Sequence, residues 1–172
     1  MHEDRFISTA ELAHAAGVLT TDIDYWVSVR LLVPAREASG PGTRRGFTVE
    51  HIIEGTQLGD LTKAGLNTQQ TRRIVNVQRA TLAGLPADER LVRRFELYIG
   101  VVTTLSEIFG RGPGYDAWRE RQEQQLAKMR AELTPLASRR GRPRRHDLRL
   151  LRMFLEANDA KPATHAAAIA TA

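Results

Sequence analysis

The chain has 172 residues, of which 42% are hydrophobic and 26% are charged, so it is long enough for one full core or two modest units. It has no cysteine, which excludes disulfides and thiolate sites, and its five scattered histidines offer no local ligand pair. We therefore expect neither a metal site nor a cofactor. No apolar run is long enough to span a bilayer and the first residues do not resemble a signal peptide, which predicts a cytoplasmic protein with no membrane partner.

The formal net charge of +5 is unevenly distributed along the chain. Residues 1–85 and residues 86–135 are each formally neutral, whereas residues 136–172 carry eight basic and three acidic side chains. The whole excess of positive charge therefore lies in the C-terminal tail.

The first two predicted elements are short helices. Ser8 and Glu11 have the spacing of a capping box, and the helix that they begin ends at Gly17. Thr20 or Thr21 then caps a second helix. Two short helices across a turn of three or four residues predict a helix-turn-helix.

The segment from Leu31 to Phe47 contains two prolines and three glycines, too many helix breakers for a helix. Because apolar residues stand at either end, we expect a two-stranded wing here. Thr48 then caps a third helix, and Asn67 with Gln70 repeats the capping-box spacing at the start of a fourth.

A long helix is predicted after Pro86, because its apolar residues recur in alternating steps of four and three. This spacing is typical of a coiled-coil seam and predicts a dimerisation surface. The seam positions are Leu91, Phe95, Tyr98, Val102, Leu105 and Phe109. The glycine-rich residues 110–114 end this helix, and a further helix over residues 116–132 is expected to fold back on it as an antiparallel hairpin.

Five short motifs follow one another in residues 6–75. They are Glu11-Leu12-Ala13 with Ala16-Gly17-Val18, the aromatic pair Tyr25-Trp26, Leu31-Leu32-Val33-Pro34, Arg45-Gly46-Phe47-Thr48-x-Glu50, and Leu61-x-x-Ala64-Gly65-Leu66-Asn67. In this order they resemble the head of the MerR family of winged helix-turn-helix transcriptional regulators, in which the third motif reads Gly-Leu-Leu-x-Pro. The resemblance implies a second helix in the DNA major groove, a wing on the flanking phosphates and a long helix that forms an antiparallel coiled-coil dimer.

The expected fold class is therefore mainly α, with an N-terminal winged helix-turn-helix, a long dimerisation helix and a C-terminal helical extension. We assign residues 1–85 to the DNA-binding domain and residues 86–135 to a dimerisation or effector region. We expect residues 136–172 to form a basic tail with a short helix and a disordered end.

On the second helix, Thr20 and Thr21 are the expected base contacts, and Asp24 is a candidate acceptor for a cytosine amino group. Asp22 and Asp24 depart from the family pattern, which often has basic residues here. The alternative is that both aspartates cap the helix and stay in solvent. Of the pair Tyr25 and Trp26, we expect one to contact the DNA backbone and the other to lie in the core.

The wing offers arginines for DNA phosphates, namely Arg36, Arg44 and Arg45; the alternative is a mobile loop with solvated charges. The run Arg139 to Arg145 looks like an AT-hook, in which Arg140, Arg142 and Arg144 would enter a narrow minor groove. The alternative for this run is a solvated basic linker.

No histidine or nucleophile stands at useful spacing from an acidic pair, so we expect no enzyme. The leading hypothesis is a homodimeric, nucleoid-associated transcription regulator that binds double-stranded DNA at a pseudo-palindromic operator, with RNA polymerase or another protein as a further partner. Two alternatives stay open: an architectural or excisionase-like protein with low sequence preference, and a protein-interaction adaptor that uses the long helix. Tyr115, Trp118 and Phe154 are candidates for an effector pocket, although no polar constellation identifies a ligand.

Overall fold

The computed structural model describes residues 6–136, with side chains up to residue 131. Six α-helices occur in this part of the chain: α1 Thr9–Ala16, α2 Thr20–Ser28, α3 Val49–Lys63, α4 Thr68–Leu82, α5 Ala87–Phe109 and α6 Tyr115–Leu136. The chain divides into two compact units between Gly59 and Asp60, within α3, which is earlier than the domain boundary suggested by the sequence. None of the six helices is long and apolar enough to cross a membrane.

The mainly helical part of the prediction is confirmed, but the two-stranded wing over Leu31 to Phe47 is wrong. Residues 6–136 contain no β-strand, only two isolated antiparallel bridges, Ile7 with Phe47 and Arg36 with Gly46. The segment between α2 and α3 is therefore a loop, which we call the α2–α3 loop (residues 29–48).

One residue pair closes the distal part of the α2–α3 loop. The backbone N–H of Arg36 donates to the Gly46 carbonyl at 3.0 Å, and that of Gly46 donates to the Arg36 carbonyl at 2.9 Å. The tip of the loop is a tight turn, in which the Thr43 N–H donates to the Gly40 carbonyl at 3.1 Å, so a single bridge replaces the predicted pair of strands.

The predicted start and end of α1 are confirmed. The Ser8 hydroxyl accepts the Glu11 N–H at 3.3 Å, and the Glu11 carboxylate accepts the Ser8 N–H at 2.8 Å. After α1, Gly17 adopts the left-handed conformation (φ 67°), and the N–H of Val18 donates to the Ala13 carbonyl at 3.0 Å. Glycine adopts this conformation at little cost, so the chain turns within three residues.

The predicted cap of α2 is wrong. Leu19 stands at the N-cap position, and the Asp22 carboxylate accepts its backbone N–H at 3.0 Å. Asp22 supplies the acceptor that we expected from Thr20 or Thr21, so both threonines lie in the first turn of α2 and neither caps it.

In the N-terminal unit, α3 approaches α1 and the turn very closely. A Cβ built on Gly55 would lie 3.2 Å from the Ala16 Cβ, and one built on Gly59 would lie 2.7 Å from the Val18 Cγ1. The surrounding core is apolar and fully or almost fully buried, and includes Leu12, Ile23, Trp26, Leu32, Phe47, Ile53 and Leu58.

Hydrogen bonds of the His51 side chain connect the α2–α3 loop to the start of α3. Its Nδ1 accepts the Thr48 N–H at 2.9 Å, and its Nε2 lies 2.8 Å from the Val33 carbonyl oxygen. Because that carbonyl only accepts, the hydrogen bonds assign the proton to Nε2. The ring also packs edge-on against Phe47, with the centroids 5.4 Å apart.

The C-terminal unit contains α4, α5 and α6. The capping box of α4 is confirmed, because the Asn67 and Gln70 side chains each accept the other's backbone N–H at 2.9 Å. The long helix is also confirmed, since α5 has 23 residues. It packs against α4 and α6, and the contact of Glu96 with Arg130 shows that α6 returns antiparallel along α5, as expected.

The close approach at Gly59 predicts that a methyl group there is destabilising. In Gly59→Ala the new Cβ meets Val18, whose β-branched side chain has little rotamer freedom. The expected loss in the free energy of unfolding is about 1–3 kcal/mol, measured by urea denaturation.

Gly100→Ala is the matched control, because nothing lies within 4 Å of a Cβ on this α5 glycine. It should gain about 0.5–1 kcal/mol from helix propensity. Equal stability of the two variants would contradict the close packing of α3 on the turn.

The Glu96 cluster predicts a dependence of stability on pH. Burial alone raises the pKa of Glu96, but hydrogen bonds from Arg130 and Arg93, together with their charges, outweigh it and lower the pKa. A carboxyl with a lowered pKa stabilises the fold above the pKa of the unfolded chain, and this contribution is lost as the pH falls through the folded value. Wild type should therefore exceed Glu96→Gln in stability at pH 7, and the difference should shrink as the pH falls below about 4.3.

Thermal unfolding between pH 3 and pH 7 measures this difference. Glu107→Gln is the control, since Glu107 is an exposed glutamate on the same helix. A wild-type advantage over Glu96→Gln that does not change with pH would contradict the role of the charge.

Candidate nucleic-acid interface

Helix α2 has one buried side and one exposed side. Ile23 and Trp26 point into the core of the N-terminal unit. The exposed side chains of α2 are Thr20, Thr21, Asp24, Tyr25 and Ser28, which we call the α2 face. Tyr25 is 50% exposed and Trp26 only 3%, which confirms that one aromatic of the pair lies in the core. The contact of the other with the DNA backbone stays a prediction.

The α2 face carries hydroxyl groups, one carboxylate and one phenol. Groups of this kind exchange hydrogen bonds with the edges of bases in the major groove. The hydroxyls of Thr20 and Thr21 are not used as helix caps, while the Ser28 hydroxyl donates to the Tyr25 carbonyl at 2.7 Å. The predicted residues Thr20, Thr21 and Tyr25 therefore share one accessible surface.

An ion pair joins the α2–α3 loop to the α2 face. The Arg45 guanidinium lies 2.7 Å from the Asp24 carboxylate, and the two side chains are 32% and 60% exposed. The two aspartates of α2 have different roles, because Asp22 holds the Leu19 N–H and Asp24 holds Arg45. Of the alternative in which both aspartates cap the helix and stay in solvent, Asp22 takes the capping role, whereas Asp24 stays exposed but pairs with Arg45 and does not cap.

The other two loop arginines differ in their surroundings. The Arg36 guanidinium lies over the Phe6 ring, 4.7 Å from its centroid, and remains exposed. Arg44 is exposed, and no residue within the described part of the chain forms an ion pair with it. Arg44 is therefore the loop arginine most available to an anion.

Sequence reasoning missed Arg30, which ends α2. It is the one non-glycine residue with positive φ (57°) in residues 6–136. After it, the N–H of Leu31 donates to the Trp26 carbonyl at 2.8 Å, which closes the helix end. The motif Gly-Leu-Leu-x-Pro contained the signal, because Arg30 stands where the motif has glycine. An exposed arginine is thus held at one end of the α2 face in a conformation that favours glycine.

The six seam positions of α5 are buried or half-buried within a single chain. Leu105 packs in a cluster with Leu61, Ala64 and Phe109, and the buried Tyr98 hydroxyl donates to the Asp60 carboxylate at 3.0 Å. Burial, together with the charge of Asp60 and this hydrogen bond, raises the pKa of Tyr98 well above its usual value. A role for Leu91, Phe95, Val102 and the other seam positions in a dimer stays a prediction.

The remaining candidates are the tail arginines and the effector pocket. Arg140, Arg142, Arg144 and Phe154 lie outside the described residues. Tyr115 and Trp118 are both buried, with ring centroids 5.9 Å apart, so within residues 6–136 they belong to the packing of the C-terminal unit. The same part of the chain contains no cluster of three acidic or histidine side chains able to hold a metal ion.

Comparisons with protein-family models, with curated proteins and with solved structures found no match to this chain. The resemblance to the MerR head therefore depends on the motifs in residues 6–75 alone.

The conformation of Arg30 predicts a gain of stability on substitution by glycine. Arg30→Gly should raise the free energy of unfolding by about 1 kcal/mol, because glycine adopts positive φ without the steric penalty. Arg30→Ala is the matched control, since it also removes the guanidinium but keeps a Cβ in the left-handed conformation. Urea denaturation of both variants checks this, and equal stability of the two would show that the backbone at residue 30 is not strained.

Proposed function

We propose that the protein is a sequence-specific DNA-binding regulator that places the α2 face in the major groove. The observation that carries the proposal is the two-sided α2: Ile23 and Trp26 anchor the helix, and polar side chains cover its exposed side. The resemblance to the MerR head supports the same assignment, with a loop in place of the wing.

The dimensions of α2 suit this role. Its nine residues span about 13 Å, and the major groove of B-DNA is about 12 Å wide. Reading helices contact bases mainly through their N-terminal residues, which in α2 are Thr20 and Thr21. Arg36, Arg44 and Arg45 of the α2–α3 loop would bind backbone phosphates, which supply affinity and orientation without sequence information.

A single helix of this length contacts only a few base pairs, which is too short a site for unique recognition in a genome. The proposal therefore includes a homodimer on a pseudo-palindromic site, with one α2 face in each half-site. The N-terminal segment is formally neutral and so has no net attraction for DNA phosphates. The DNA affinity of the wild type would therefore come from three contributions: the second copy in the dimer, the loop arginines and the basic tail.

The test is selection of bound duplexes from random-sequence DNA, followed by affinity measurements on the enriched site. Thr20→Ala/Thr21→Ala should lower the affinity for that site about ten-fold or more, and should lower the affinity for random DNA far less. The fold should be unaffected, because neither hydroxyl caps α2 and alanine favours the helix. Arg44→Ala should instead weaken binding to all sequences alike and reduce the salt slope by about one per subunit.

Thr81→Ala/Thr104→Ala is the matched control, because both threonines are exposed helical residues of the C-terminal unit whose hydroxyls bond within their own helix. The proposal fails if selection enriches no motif, or if the two double variants bind the enriched site equally well. The architectural alternative would instead bind all sequences similarly, and this binding would disappear when Arg140, Arg142 and Arg144 are replaced by alanine. No DNA binding at low salt, with a stable protein complex, would identify the adaptor.

A further inference from the structure

The ion pair between Arg45 and Asp24 has a second consequence for DNA binding. We propose that Asp24 determines specificity: it competes with DNA phosphate for Arg45, and it selects a base that presents an amino group in the major groove, cytosine or adenine. This inference rests on the proposed function and assigns a role to one position of the α2 face.

The geometry places the competing groups together. Arg45 and Asp24 are 21 residues apart in the chain, yet their charged atoms are 2.7 Å apart. The Asp24 side chain is 60% exposed, so its carboxylate holds Arg45 and also faces solvent on the α2 face. Asp22 does not offer a similar group, because its carboxylate accepts the Leu19 N–H.

On DNA with guanine or thymine at the contacted strand position, this arrangement weakens binding. If Arg45 moves to a phosphate, Asp24 loses its partner and faces a groove that is rich in acceptors, such as guanine O6 and N7. If Arg45 stays with Asp24, one phosphate contact is lost. Either way the complex lacks one favourable interaction.

A base with an amino group in the major groove removes this conflict. The N4 amino group of cytosine or the N6 amino group of adenine donates to the Asp24 carboxylate, which releases Arg45 to a phosphate. Both charged groups then exchange one partner for another. Asp24 therefore penalises guanine or thymine at the contacted strand position of each half-site, because these bases present only acceptors and a methyl group in the major groove.

The experiment compares Asp24→Asn with Glu37→Gln. Each variant removes one negative charge, and Glu37 is an exposed residue of the α2–α3 loop that does not pair with Arg45. Asp24→Asn should bind random duplex DNA roughly two- to five-fold more tightly than wild type, a range set by the strength of an exposed ion pair. Its salt slope should be steeper by about one per subunit, because Arg45 is free for phosphate.

Selection on random DNA gives the second readout. Wild type should enrich cytosine or adenine at one position of each half-site, and Asp24→Ala should lose the preference at that position while keeping the remainder of the motif. The inference is overturned if Asp24→Asn binds random DNA no more tightly than wild type, or if Glu37→Gln has the same effect. It is also overturned if Asp24→Ala keeps the full motif.

Failure of this inference is distinguishable from failure of the proposed function. If Thr20→Ala/Thr21→Ala loses the enriched site while Asp24→Asn changes nothing, α2 reads DNA without this exchange. If neither substitution affects binding, DNA is bound elsewhere or not at all, and the proposed function fails as well.

Discussion

The exposed face of α2 exists because the other side of this helix is completely buried. Ile23 and Trp26 have almost no accessible surface, and burial of two such side chains contributes several kcal/mol in apolar transfer free energy, about 1.5–3 kcal/mol for a side chain such as Ile23. Two glycines of α3 allow this close packing: a Cβ on Gly59 would lie only 2.7 Å from Val18 Cγ1, and one on Gly55 would lie 3.2 Å from the Ala16 Cβ. The rotation of α2 about its own axis is thereby fixed, and so is the set of residues that it presents to solvent.

Local electrostatics then decide how that face behaves. A carboxylate on a reading helix repels DNA, and α2 has two of them in a formally neutral N-terminal segment. Each carboxylate has a partner: Asp22 holds the first turn together, and Asp24 holds Arg45. An exposed ion pair of this kind contributes about 0–1 kcal/mol to stability, so it is weak enough to open when a phosphate or a base offers a better partner.

Much of the fold was predictable because local signals specify it. The capping boxes of α1 and α4 depend on residues three apart, and the length of α5 follows from its apolar spacing. The α2–α3 loop was not predictable in the same way. A segment with apolar residues at both ends and glycine and proline between them fits a two-stranded hairpin and a loop with a single bridge equally well. The partner of Arg45 is 21 residues away, and no local pattern identifies such a contact. Arg30 was missed because a positive φ is expected at glycine and not at arginine.

The central claim is that DNA contacts the exposed side of α2 and the adjoining loop. An NMR titration of ¹⁵N-labelled protein with a selected duplex tests it most directly, because each backbone amide reports its own surroundings. We expect the largest shift changes in Thr20–Ser28 and in residues 36–46, with an additional change at the Arg45 side chain. Shift changes confined to residues 87–136, with α2 unaffected, would contradict it.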